Sequence, residues 1–148
     1  MFGTGVAKPI TNRIYNPTKT PLTIDRLGLT ARLLEVRSED STSLTGIVVS
    51  PRDKLVLLVL HGSGTSADDT SAWLTPVAER EYGLILAEYR GFAGNFGRPP
   101  QQGLAMDAST FLRQARVLFP DRQLYIVGHS LGEGVAFGNP TWQRQPVP

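Results

Sequence analysis

The chain has 148 residues, 41% of them hydrophobic and 19% charged, with a formal net charge of +2, a make-up that belongs to one folded globular domain and excludes disorder. The basic residues are scattered and form no stripe that could track phosphate backbones, so nucleic acid is not an expected partner. Without cysteine there is neither a disulfide framework nor a thiolate metal site, and two histidines argue against any metal centre.

The opening residues, MFGTGVAKPI, lack the unbroken apolar stretch of a secretory signal, and no segment reaches the roughly 20 apolar residues of a membrane span. A cytoplasmic protein without a membrane span is the expectation. Residues 1–31, rich in Thr, Pro, Asn and Gly, read as an irregular arm. Arg32 to Arg37 and Ser43 to Ser50 partly alternate apolar and polar residues around the turn-forming Ser38 to Ser41, which predicts an antiparallel hairpin at a sheet edge.

Short apolar runs follow. Leu55 to Leu60, Leu84 to Ala87 and Leu124 to Val127 predict strands buried on both faces. Asp68 to Tyr82 and Gln102 to Phe119 have helical length, and the second sets Leu104, Ala108, Phe111, Leu112, Ala115 and Leu118 along one face. This order predicts an α/β domain over residues 32–138, with a mostly parallel sheet, right-handed crossovers and an N-terminal hairpin. Residues 139–148 form a tail outside it.

Ligands of such sheets gather where the strands end at their carboxyl termini. There the sequence places His61-Gly62-Ser63-Gly64, then Glu88 to Gly97, then Gly128-His129-Ser130-Leu131-Gly132. The last fits G-x-S-x-G. Serine needs a base and a fixed geometry to act as a nucleophile. A strand that turns sharply into a helix supplies the geometry: Ser130 sits strained at the tip, the glycines remove clashes, and the helix start favours developing negative charge. Alone the pattern is weak, arising by chance in roughly one chain of this length in ten or twenty. Its place after the third parallel strand, with a Gly-rich loop after the first, gives it weight.

From Arg32 to Val135 the chain resembles the alpha/beta-hydrolase superfamily. The resemblance rests on His61-Gly62, on Tyr89-Arg90-Gly91 with Gly97-Arg98-Pro99, and on the Gly128 to Gly132 elbow. The spacing through Gly94-Asn95, Gly103-Leu104 and Asp107 looks most like the lysophospholipase-like and alpha/beta-hydrolase-domain branch. The resemblance implies a serine hydrolase that acts on small-molecule acyl esters or amides and uses no cofactor. It makes Ser130 the nucleophile and the backbone N–H groups of Leu131 and Ser63 the oxyanion donors.

Two departures stand against that pattern. Glu133 occupies a position where a small residue usually follows the elbow, and residues 131–148 contain no His, no Asp and only this Glu. The family's acid and histidine follow the serine, so the chain reads as truncated after the elbow and inactive alone. His129 and His61 are expected to be structural. The tail from Gly138 to Pro148, interrupted by Pro140, is unlike the long apolar helix the family builds there. The strand Leu124 to Val127, interior in the family, would then lie at an unpaired edge, which predicts self-association.

Two other readings remain. Gly62-Ser63-Gly64-Thr65-Ser66-Ala67 matches G-x-G-x-x-A between a strand and a helix, with Glu88 where a ribose-binding acid would stand, as in a dinucleotide-binding module. Asp68 and Asp69 at the pyrophosphate position oppose it, and it leaves the elbow unexplained. The third is a non-catalytic hydrolase relic that binds an acyl ligand or an intact paralogue.

Overall fold

The computed structural model describes residues 20–28, 30–97 and 101–137, so most of the expected arm and the whole of the 139–148 tail lie outside the described residues. The alternating segments form strands β1 (Ala31–Arg37) and β2 (Ser43–Val49), antiparallel, with Ala31 opposite Val49 and Arg37 opposite Ser43. Their turn closes through Ser38, whose N–H donates to the Thr42 carbonyl at 2.9 Å. The apolar runs become β3 (Leu55–Leu60), β4 (Gly83–Ala87) and β5 (Gln123–Gly128). The sheet order is β1-β2-β4-β3-β5, with β3 parallel to both β4 and β5 and β2 antiparallel to β4. The hairpin therefore supplies one sheet edge through β1, as the sequence predicts.

Helices α1 (Ala67–Ala78) and α2 (Gln101–Leu118) make the crossovers and pack on opposite faces. Leu104, Ala108, Phe111, Leu112 and Ala115 of α2 pack against Leu58, Leu60, Ile85 and Ala87, while Ala67 and Leu74 of α1 pack against Val59, Leu84 and Leu86. Successive strand residues thus face opposite layers, which is why β3 and β4 must be apolar throughout. A short helix, α3 (Leu131–Phe137), follows β5 and joins the α2 layer through Val135.

Helix α1 starts at a capping box in which Ser66 and Asp69 exchange hydrogen bonds, and it ends at Ala78, four residues before the expected Tyr82. Pro76 removes one helical N–H, and Glu81 turns the chain with φ of 65° so that β4 can begin at Gly83. A second correction concerns β5. Leu124 to Val127 is a strand but is not buried on both faces: Tyr125 is 53% exposed and Ile126 37%. Apolar composition predicted burial, whereas position decides it, because β5 is the last strand of the described sheet and has β3 on one side only. Among the described residues no helix is long and apolar enough to cross a membrane.

Candidate active site

The crossovers from β3 and from β4 run over opposite faces, so the carboxyl end of β3 lies at the point where the strand order reverses. Leu60 pairs with Gly128, and the two loops that leave these strands emerge side by side. The His129 N–H ties them together by donating to the Leu60 carbonyl at 3.1 Å. Ser130 follows with φ of 54°, in the left-handed region that non-glycine residues rarely occupy, and its side chain is exposed. Ser130 shares this left-handed backbone with Ser41, Glu81 and Ala93 among the non-glycine residues described.

Two glycines permit that approach. A Cβ on Gly132 would run into the Leu60 carbonyl oxygen, so only glycine lets α3 descend onto the end of β3. A Cβ on Gly62 would lie 2.9 Å from the His129 Nδ1 and 3.4 Å from the Ser130 Cβ. The loop after β3 therefore lies directly against the elbow, and Ser63 is the next residue along it. Thr65 Oγ1 donates to the Gly62 carbonyl at 2.9 Å and holds the loop closed. Leu131 opens α3, where the first N–H groups have no partner within the helix. Both expected oxyanion donors thus belong to segments adjoining Ser130.

Behind this surface lies a buried polar pair that the sequence did not reveal as a unit. His61 and Glu88 are 1% and 0% exposed, and Nε2 of His61 meets Oε1 of Glu88 at 2.5 Å. The other ring nitrogen, Nδ1, lies 2.8 Å from the Gly62 carbonyl. Glu88 also accepts the Tyr89 N–H at 3.1 Å and, through Oε2, the Ala67 N–H at 2.8 Å. One carboxylate therefore caps α1 and braces the loop beside the elbow. The expectation that His61 is structural agrees with this arrangement. The same bonds bear on the dinucleotide reading, since the α1 N-terminus that would receive a pyrophosphate already holds the carboxylates of Glu88 and Asp69.

A second cluster anchors the loop after β4. Arg90 donates through Nη2 and Nε to Asp107 Oδ1 at 2.7 and 3.0 Å, and its own N–H reaches Oδ2 at 2.8 Å. Nη1 of Arg90 bonds Asp40 of the hairpin turn at 2.5 Å. Hydrogen bonding to Asp107 raises the Arg90 pKa, and the Arg90 bond holds the Asp40 carboxyl well below the usual carboxylate range. Three segments remote in sequence are joined at one guanidinium. Asn95 adds to the lock by accepting the Thr45 N–H at 2.9 Å.

The remaining members are peripheral. The His129 ring is exposed and meets Trp73 edge to face, with ring centroids 5.9 Å apart. Nothing is described for the Glu133 side chain or for Arg98 and Pro99. Among the described residues no group of three or more His, Cys, Asp or Glu side chains is placed to hold a metal ion.

The chain matches the alpha/beta hydrolase fold family over residues 56–137. It is 36% identical over 83 residues to the lysophosphatidylserine lipase ABHD12 of Bos taurus, a stretch covering 55% of this chain and 21% of that protein. An alpha-beta hydrolase from Vibrio vulnificus superposes with a TM-score of 0.74 at 20% identity, over 92% of this chain and 52% of the other. The Pyrococcus furiosus esterase Pf2001 gives 0.70 at 16% identity, over 82% and 51%. The chain thus spans about half the length of these solved structures and a smaller share of the lipase. With a matching family model across more than half its residues and a sheet of the same architecture, the chain belongs to the alpha/beta-hydrolase fold family.

Proposed function

We propose that these residues form the nucleophile and oxyanion side of a serine hydrolase acting on acyl esters or amides, with Ser130 as nucleophile. The observation that carries the reading is the left-handed backbone of Ser130 at the end of a parallel strand, beside a loop braced from below. Strain of this kind persists only where the surroundings enforce it. The N–H groups of Leu131 and Ser63 receive the oxyanion that forms when the Ser130 oxygen adds to the acyl carbonyl. A lipase among the relatives and an esterase among the similar folds favour a carboxylic ester as the bond cleaved. The reaction uses no cofactor, and a cytoplasmic setting belongs to the same reading.

The attack also requires a base for the serine proton. His61 has both ring nitrogens engaged, and His129 is turned to Trp73. Neither is the base in this reading, so turnover depends on a histidine and an acid beyond these 148 residues. Loss of a triad serine or histidine lowers kcat by about 10⁶, leaving roughly 10³ to 10⁴ over water. The purified 148-residue chain should therefore hydrolyse p-nitrophenyl butanoate barely above background, and Ser130→Ala should change little. Appending a family C-terminal half that carries Asp and His should produce hydrolysis that Ser130→Ala abolishes. Turnover that survives Ser130→Ala in the extended form would overturn Ser130 as the nucleophile, and an extended form without turnover would favour the relic reading.

A further inference from the structure

Beside the elbow lies a cavity of about 310 Å³ lined by Thr65, Thr70, Trp73 and His129. Its size falls at the lower end of small-molecule sites, which span about 300 to 1,000 Å³. The lining is more apolar than its composition indicates. Thr65 Oγ1 donates to the Gly62 carbonyl at 2.9 Å and Thr70 Oγ1 to the Ser66 carbonyl at 2.8 Å. Neither hydroxyl proton is left for a ligand. Trp73 is 53% exposed on α1, an unusual position for the largest apolar side chain, and its indole meets only the His129 ring among the described aromatic side chains. His129 immediately precedes Ser130, so this wall is continuous with the elbow.

We propose that this cavity is the acyl-chain subsite of the Ser130 centre, taking the alkyl end of a short to medium acyl group, with Trp73 as the wall that sets chain length. The proposal rests on the hydrolase reading and gives it a substrate side. An alkyl chain has no polar group to satisfy and gains by covering the indole and the threonine methyls. A polar ligand would find no free hydroxyl proton on either threonine. The loop that forms one side of the cavity is the one expected to hold the oxyanion, which sets the carbonyl at Ser130 while the chain runs toward α1.

Binding can be read without turnover. The sequence has two tryptophans, and Trp142→Phe leaves Trp73 as the sole indole reporter. Titrating that protein with the methyl esters of butanoic, hexanoic and octanoic acid should give a saturable change in Trp73 fluorescence. Affinity should rise about three- to fourfold per methylene until the cavity is full. Titration calorimetry should show the chain-length dependence lost in Trp73→Ala, an exposed position where folding is not at stake, and kept in Ser130→Ala. Affinity that does not vary with chain length, or a gradient that survives Trp73→Ala, would overturn the subsite. Rapid Ser130-dependent labelling of a form with an appended triad acid and histidine, together with flat binding, would sink the subsite while leaving the hydrolase reading intact. Graded binding without any such labelling would overturn the hydrolase reading and, with it, the cavity's role as a subsite of Ser130, leaving an alkyl-binding cavity.

Discussion

The two sides of the site are built on opposite plans. On the β3 and β4 side the polar groups are buried and satisfy one another: His61, Glu88, Arg90 and Asp107 are all at most 8% exposed. On the β5 side the elbow is exposed, its strand shows Tyr125 and Ile126 to solvent, and its serine carries the strain. In the proposed function the first region fixes position and the second presents chemistry. A loop that must aim main-chain N–H groups has to be rigid, and buried networks whose members are all bonded supply that rigidity. A nucleophile that must meet substrate has to be reachable.

The sharpest way to break this contrast is Glu88→Ala. It leaves the His61 ring and the Ala67 and Tyr89 N–H groups without their buried acceptor. Removal of one partner from a buried polar pair costs about 3–5 kcal/mol, and urea unfolding should show a loss of that size. A change below about 1 kcal/mol would mean that the scaffold does not depend on this carboxylate. Gly132→Ala tests the junction of the two regions. The added methyl meets the Leu60 backbone carbonyl, and forced overpacking of this kind costs about 1–3 kcal/mol. Thermal melting should register it.

On the exposed side, substitutions should leave stability nearly unchanged and alter association instead. We propose that the edge of β5, which has no neighbouring strand among the described residues, drives self-association of the 148-residue chain. Ile126→Lys should shift stability by no more than about 0.5 kcal/mol and move the size-exclusion profile toward monomer, since charge at a strand edge opposes pairing. A wild-type chain that elutes as a sharp monomer at high concentration would contradict this. The smallest expected effect concerns pH. Asp40, ordinarily near 3.8, is held lower in the fold by Arg90. Its contribution is therefore present above that ordinary value and is lost as pH falls through the depressed folded one. Asp40→Asn should flatten this part of the acid limb in melting curves recorded from pH 5 downward.

The sequence made the strand and crossover order legible because these depend on local pattern, apolar runs and helical spacing, and a serine between glycines marked the turn after β5. The buried pairs were not legible. Glu88 carried the signal of a ribose-binding acid, and its real partner lies 27 residues away. The parallel register is what joins them: Leu60 pairs with Ala87, so the next residues, His61 and Glu88, leave neighbouring strands together. Arg90 and Asp107 entered only as family spacing, and their bond depends on how α2 returns across the sheet. Burial of β5 was misread because apolarity does not report how many neighbours a strand has. Trp73 gave no signal, since a tryptophan on an amphipathic helix ordinarily reads as core.

In the proposed function the exposed, strained serine carries the chemistry while the buried side holds it in place. Its most direct test is mass-spectrometric mapping of a fluorophosphonate adduct on a form of the protein extended to include a family acid and histidine, with the 148-residue chain as control. One adduct is expected, on Ser130, formed at least about 10³-fold faster in the extended form. An adduct on Ser63 or another residue, or equally rapid labelling of Ser130 in both forms, would contradict it.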